Sequence, residues 1–396
     1  MGSNNFDSLP DASSPSFILT NPTPEELTKV FTLSHPKWGN ALSLKDYLAR
    51  ERYLTTVPLS KDGGITHWIL TLSSISPGEE RPILSSCESI RKRAFYTENG
   101  KVKEGVAHGI ASVFTDPTYR GKGYASRMMR ELGKRLERWQ VLGKDDQGRE
   151  EGKERSVASV LYSDIGKSFY AKHGWRAYES GHVSFKPLGQ TSQNGEKKTQ
   201  GVKEIGYHEL AELCAVDERL LKKQLEGLAA QDGKRRYVAL VPELDQLLWH
   251  MMREDFMTKH IFGKTPAVKG AVAGEVGKRV WALWMRGYYG GKETTEGNTL
   301  HILRVVMEDE ENTLEKELAE GLKAIVRIAQ REAAEWRSED VQMWNPGQKL
   351  KKVLELSGIE EYAFVERDKE SIASLMWYGE GEEEVDWVAN EKYAWC

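Results

Sequence analysis

Apolar residues recur at Ala125, Met128, Met129, Leu132, Leu136 and Trp139, the spacing of one stripe along an α-helix, while Arg127, Arg130, Lys134 and Arg138 take the opposite face. The pattern predicts an amphipathic helix opening at Tyr124. Before it, the runs His67–Leu72, Ile83–Tyr96 and Val106–Thr115 read as strands. Loops rich in Gly, Pro, Asn and Ser separate them, as a meander of paired strands requires. After it come a strand at Ser156–Tyr162, a helix near Ile165–Lys172 and a strand near His182–Lys186. Upstream, Thr23, Pro24 and Glu26 supply a capping box with proline at the first helical position, so a helix is predicted over Thr23–Val30, with a second around Leu44–Tyr53. The first half reads as α+β, with one mixed, mostly antiparallel sheet flanked by helices.

Residues Gly189–Lys203 (GQTSQNGEKKTQGVK) contain no large apolar side chain except Val202 and read as a linker. Beyond it, a strand at Leu300–Glu308, a helix at Glu315–Arg337, a strand at Val341–Trp344, a helix at Gln348–Leu356 and a strand at Tyr362–Glu366 repeat the earlier order of elements. The second half is predicted to be a copy of the first in architecture, without residue identity. The expected organisation is a disordered N-terminus over residues 1–16, a first domain over 17–188, a linker over 189–203 and a second domain over 204–396.

Composition narrows the function more than the fold. Of 396 residues, 56 are basic and 60 acidic, a net charge of −4 that provides no bulk field for nucleic acid or an anionic membrane. Anion binding must therefore be local. Three cysteines, Cys87, Cys214 and Cys396, without CxxC spacing suggest neither a disulfide framework nor a metal centre, and a reducing cytoplasm fits them. The polar start of the chain lacks the features of a signal peptide, and the apolar runs, such as Val280–Met285, are too short to span a bilayer.

Local anion chemistry is concentrated in one place. Between the strand ending at Thr115 and the helix opening at Tyr124 lies Arg120-Gly121-Lys122-Gly123, and the backbone N–H groups of Gly121–Ser126 have no intrahelical partners. The positive end of the helix dipole, small residues at Gly121, Gly123 and Ala125, and two cations together favour a phosphate or pyrophosphate. The same residues admit a plainer reading, a surface turn whose glycines supply positive φ. Two nucleotide motifs are excluded: a dinucleotide fingerprint needs glycine where Ser126 stands, and Gly263-Lys264-Thr265 lacks the earlier glycine of a Walker loop, having Thr258 there.

Arg120-Gly121-Lys122-Gly123-Tyr124-Ala125 resembles the Arg/Gln-x-x-Gly-x-Gly/Ala signature of the GCN5-related N-acetyltransferase (GNAT) superfamily. Leu161–Trp175 (LYSDIGKSFYAKHGW) resembles its second signature: a strand, a short helix with Phe-Tyr and a closing Gly-aromatic pair. The full layout, with Trp38 and the Cys87–Arg93 strand, is similar to the fungal lysine N-acetyltransferases. The resemblance implies a GNAT fold followed by a degenerate GNAT-like half, and transfer of an acetyl group from acetyl-CoA directly to a small amine, with free L-lysine foremost and a polyamine, another amino acid or a peptide N-terminus as rivals. A non-catalytic acyl-CoA-binding protein is the alternative of a different class.

The resemblance also implies roles. Val113, Phe114 and Thr115 would meet the pantetheine, Arg120, Gly121, Lys122, Gly123, Tyr124, Ala125 and Ser126 the phosphates, and Ser163 the cofactor from the next strand. Tyr170 would donate a proton to the departing thiolate. A lysine amine has a pKa near 10.4, so neutralising it at pH 7 costs about 4.6 kcal/mol. Glu88, alone as an acid in its strand start, is a candidate acceptor, or else a surface carboxylate paired with Arg91 or Lys92; His108 is a weaker choice. In some two-domain relatives the terminal carboxylate reaches the active site, which makes Cys396 a candidate too. For a substrate carboxylate, Arg91, Arg93, Arg286 and Arg304 qualify by residue type alone. In the second half the segment matching the phosphate loop is Glu308-Asp309-Glu310-Glu311-Asn312, which would repel a pyrophosphate, so that half is expected to shape the substrate cleft. The acidic run Glu380–Asp386 could attract a cationic substrate or simply be solvated. Oligomeric state is not legible in the sequence.

Overall fold

The structure, a computed structural model, describes residues 9–144, 150–152, 155–189, 201–379 and 385–395. Strand β1 (Phe17–Thr20) leads into helices α1 (Pro24–Trp38) and α2 (Leu44–Leu54), then β2 (Ile65–Leu72), β3 (Ser85–Glu98) and β4 (Lys101–Thr115). Thr23 and Glu26 form the capping box expected of them. β3 and β4 are joined by Asn99-Gly100 alone, both at positive φ, the two-residue turn whose twist suits an antiparallel hairpin.

Helix α3 (Tyr124–Leu136) follows, then a short hairpin of β5 (Leu142–Lys144) and β6 (Glu150–Gly152), strand β7 (Ala158–Ser163), helix α4 (Ser168–Ala171), β8 (Arg176–Ala177) and β9 (Gly181–Phe185). The second half contains β10 (Val202–Ile205), α5 (Leu210–Gln231), β11 (Arg236–Leu240), α6 (Leu244–Phe262), β12 (Gly270–Ala273), β13 (Val280–Tyr288) and β14 (Asn298–Met307). It ends with α7 (Glu315–Glu335), β15 (Asp340–Trp344), α8 (Gln348–Leu356), β16 (Tyr362–Glu366), β17 (Ile372–Trp377), β18 (Val385–Trp387) and a 3-10 turn at Lys392–Ala394.

The two halves trade strands. The first sheet runs β1-β2-β3-β4-β7-β17-β8, with β11 and β18 added beside β3, and the second runs β10-β12-β13-β14-β15-β9-β16. β9, read from the sequence as part of the first sheet, instead pairs with β15 and β16, while β17 comes back to pair with β7. The exchange follows from burial: Val183 and Phe185 of β9 complete the core under α7, and Ala373 and Leu375 of β17 complete the core between the sheets. Neither half closes its sheet without the other.

The α3 stripe buries Met128, Met129, Leu132 and Leu136 on the first sheet, alongside Tyr124 and Tyr170. Residues from Leu9 onward, expected to be loose, pack against this helix: the Tyr124 hydroxyl donates to the Pro10 carbonyl at 3.1 Å and Arg127 Nη1 to that of Ser13 at 3.1 Å. Helix α4 is shorter than expected, and the long helices α5 and α6, absent from the sequence reading, fill the space between the halves. No helix among the described residues is long and apolar enough to cross a membrane.

Candidate active site

The chemistry is positioned by a parting of two strands. β4 pairs with β7 in parallel from Ala107–Ala158 to Ile110–Leu161. Beyond that, β4 runs on through Ala111–Thr115 with no β7 partner among the described residues, leaving a row of half-buried backbone. On its other side the β3 register slips between Ser86 and Glu88, and Ser112 adopts φ 53°, so a bulge turns the end of β4 away from β7. An opening of this kind presents free amide and carbonyl groups to an extended ligand.

At the end of this opening stands the glycine loop. Gly121 and Gly123 have φ of 77° and 83°, and Gly123 begins α3 with no side chain capping it. The first N–H groups of α3 therefore lack an internal partner at the positive end of the helix. Arg120 donates to the Thr115 carbonyl at 3.1 Å and lies over the Phe114 ring, which Trp38 meets edge-on. Lys122 is exposed. Val113 packs toward the core under α3, and Thr115 shares a hydroxyl hydrogen bond with Ser85 at 2.8 Å. Ala125 and Ser126 are half-buried in the first turn. Ser163 closes β7, but its hydroxyl is engaged by the Gly166 carbonyl at 2.7 Å, which shapes the turn into α4.

Tyr170 is buried on α4 beneath the opening, in the cluster with Cys87, Ile110 and Leu161. No hydrogen bond reaches its hydroxyl among the described residues, and burial pushes its pKa up, so it stays a donor. Burial also pushes the Cys87 thiol up, as a packed residue rather than a nucleophile.

Glu88 is not a surface carboxylate. It is buried, and it accepts from Ser112 Oγ at 2.9 Å and lies 3.4 Å from His67 Nε2; neither Arg91 nor Lys92 is its partner. Arg91 is exposed, and Lys92 donates to Gln246 and to the Ala394 carbonyl. Burial pushes the Glu88 carboxyl up, yet the His67 and Ser112 hydrogen bonds and the Arg50 charge outweigh it, so the group is held below the usual carboxylate range. Phe31, Tyr47, Glu51 and His67 line a small cavity with Glu88 and Ser112, between α1, α2 and the bulge. His67, which the sequence reading passed over, faces Glu88 directly across the β2–β3 ladder. That register is the only signal for it, and it exists only once the strands are paired. His108 is fully buried, 3.3 Å from Ser156 Oγ, and burial pulls its pKa down to about 3, which makes it a neutral core residue.

The tail is anchored in the same region. His250 Nε2 lies 2.9 Å from the Tyr393 carbonyl, and Trp395 packs with Ile90, Ala111 and Trp249. Cys396 itself lies outside the described residues, as do most of the linker and residues 380–384 of the acidic run. In the second half, β14 leaves β15 after Ile302–Met343 just as β4 leaves β7, but Glu391 fills the place, accepting from Val305 N at 3.2 Å and pairing with Arg304. Glu308, at the start of the acidic loop, is tied to Arg279. Of the arginines named for a carboxylate, Arg93 is taken by Glu104 and Glu218, Arg286 by Glu254 and Glu332, and Arg304 by Asp217 and Glu391.

Residues 88–177 match the acetyltransferase (GNAT) domain family, and residues 182–396, more than half of the chain, match the family described as the LYC1 GNAT-like C-terminal domain. The chain belongs to the LYC1-like GNAT acetyltransferases. A lysine acetyltransferase of Yarrowia lipolytica is 26% identical over 293 residues, covering 67% of this chain and 71% of its own. An uncharacterized protein of Saccharomyces cerevisiae is 23% identical over 401 residues, 93% of this chain and 95% of its own. Among solved structures, a probable N-acyltransferase of Enterococcus faecalis has a TM-score of 0.51 at 13% identity, covering 91% of this chain and 71% of that one. Saccharomyces cerevisiae N-myristoyltransferase with bound myristoyl-CoA also has a TM-score of 0.51, at 9% identity, with 96% and 83% covered. Both show the fold. The LYC1-like GNAT chain is thus an acyltransferase built for an acyl-CoA, with two GNAT-like halves of which the second lacks a glycine loop.

Proposed function

We propose that the enzyme transfers the acetyl group of acetyl-CoA to a small amine, the side-chain amine of free L-lysine before others. The observation that carries this reading is the coincidence of the β4–β7 opening with a buried carboxylate at its bulge, Glu88. The Yarrowia relative, named a lysine acetyltransferase, supports the choice of amine.

Acetyl-CoA, when bound, supplies a thioester carbonyl that an amine can attack directly. The residues fit it. The uncapped amides at the start of α3 hold phosphates, with Arg120 and Lys122 adding charge. The backbone of Val113–Thr115 offers hydrogen bonds to the pantetheine amides, and an N–H of Val113 or Phe114 can serve the carbonyl oxygen. The protonated Tyr170 hydroxyl, without a hydrogen-bond partner among the described residues, is kept to donate to the thiolate. Glu88, anionic at neutral pH, draws the ammonium form toward the cavity mouth and is the candidate acceptor for its proton, with His67 and Ser112 holding the carboxylate in place.

Thiol release from acetyl-CoA across lysine, ornithine, spermidine, cadaverine and a peptide N-terminus tests the reading. Turnover with lysine above the rest is expected. Acetyl-CoA binding without turnover of any amine would leave only an acyl-CoA-binding protein.

A further inference from the structure

An acetyltransferase for an amino acid must recognise a carboxylate as well as an amine. Among the described residues, the buried arginines Arg50, Arg81, Arg279, Arg286 and Arg304 each meet a carboxylate at ion-pair distance. Arg253 is equally buried, 6% exposed, and meets none.

Its position is set by α6. Gln246, Trp249, His250, Arg253 and Met257 form the stripe of that helix that faces the first half. Gln246 accepts from Lys92, Trp249 packs with Ile90 and Leu54, and Met257 joins Tyr47 and takes Arg50 Nη1 on its sulfur at 3.4 Å. Arg253 lies between these contacts, beside the Arg50–Glu51 pair of α2 and the Tyr289 side chain. Tyr289 is 42% exposed, so this end of the seam reaches solvent.

The carboxylates here go to Arg50: Glu51 pairs with it directly and the anionic Glu88 feels its charge, whereas no carboxylate among the described residues lies at ion-pair distance of Arg253, whose hydrogen bond goes to the Tyr289 side chain. Such a charge is costly unless a partner arrives, and burial together with the Arg50 charge holds the Arg253 guanidinium below its usual range. Glu51 also lines the cavity of Glu88 and His67, so Arg253, beside Glu51, adjoins the space assigned to the amine. Arg367, a half-buried arginine likewise without a carboxylate among the described residues, stands elsewhere: it donates to the Gly181 carbonyl at 2.8 Å and lies over Trp344, and it does not line the cavity of Glu88.

We propose that Arg253, with Tyr289 at its side, is the subsite for the α-carboxylate of the amine substrate, so that the cleft selects a diamino acid over a polyamine. The inference rests on the acetyltransferase reading above and deepens it. A polyamine would bring a second ammonium toward an unpaired guanidinium, whereas an amino acid brings the missing charge.

The test compares L-lysine with cadaverine, its decarboxylated counterpart, as acceptors for the full chain with acetyl-CoA. Arg253→Met should raise the lysine KM roughly 30-fold or more, the scale of removing one partner from a buried charge pair. Lysine kcat and acetyl-CoA KM should stay within a few-fold, and cadaverine KM should hold or fall, because the like charge that opposes its second ammonium is gone. Arg253→Lys should restore part of the lysine KM, and it carries the test alone where Arg253→Met does not fold. A lysine KM unchanged in both variants, or lysine and cadaverine activities falling together, overturns the subsite. If the parent enzyme acetylates neither amine, the proposed function fails separately. Calorimetric titration with L-lysine and cadaverine in the presence of CoA then decides the subsite: lysine binding that is lost in Arg253→Met supports it, and absence of lysine binding ends it.

Discussion

Glu88→Gln keeps the size of the side chain and an oxygen for Ser112 but removes the charge that faces His67. The carboxylate is buried with two partners, at 2.9 and 3.4 Å, so nothing in solvent replaces what is lost. A hydrogen bond to a buried charged group is worth about 1.5–3 kcal/mol, or roughly 10- to 150-fold in kcat/KM for the amine. Acetyl-CoA affinity should not change, because the glycine loop and the end of β4 are untouched. The same substitution has a signature in acid. The folded value of Glu88 lies below its reference of 4.5, so the group contributes stability that is complete above pH 4.5 and disappears as pH falls through the folded value. Glu88→Gln should therefore lose part of the dependence of melting temperature on pH below 4.5. Thiol-release kinetics, calorimetry with acetyl-CoA and melting curves from pH 3 to 7 measure all three quantities. An amine kcat/KM within threefold of the parent enzyme would remove Glu88 from the reaction, and an unchanged acid limb would contradict its low folded pKa.

Tyr170→Phe should lower kcat by about 10²-fold or more while the acetyl-CoA KM stays within about twofold, as expected for loss of a proton donor to the leaving group; unchanged turnover would remove the role. Gly121 has φ 77° and open space where a Cβ would stand, so Gly121→Ala costs only backbone conformation, about 1 kcal/mol, and should weaken acetyl-CoA binding roughly fivefold by calorimetry. A lower melting temperature with unaltered binding would mean that the loop does not cradle the phosphates. His108 is buried and neutral, with a pKa pulled from 6.5 to about 3, so the unfolded chain takes up the proton first and stability, full above pH 6.5, falls as pH drops. Urea denaturation at pH 7 and pH 5 should show a loss of about 2 kcal/mol from this residue, and His108→Asn should shrink the difference.

The glycine loop, the α3 stripe, the capping box of α1 and the repeated order of elements were legible because each depends on residues near one another in sequence: a helix period, a cap, a turn that needs positive φ. The second signature likewise led to Tyr170 by spacing within one strand and one helix. Nothing of that kind marks His67 opposite Glu88, which needed the β2–β3 register, or the burial that makes Glu88 a charge held in the interior rather than one facing water. Arg253 and the exchange of β9 and β17 were further out of reach. A strand's partner is decided by which sheet has an unfilled edge and which core has room for Val183, Phe185, Ala373 and Leu375, and an arginine's freedom is decided by whether the folded chain brings it a carboxylate. Sequence determined the glycine loop and the elements around it; packing between the halves decided where α5 and α6 lie, which strands change sheets, and which charges meet a partner.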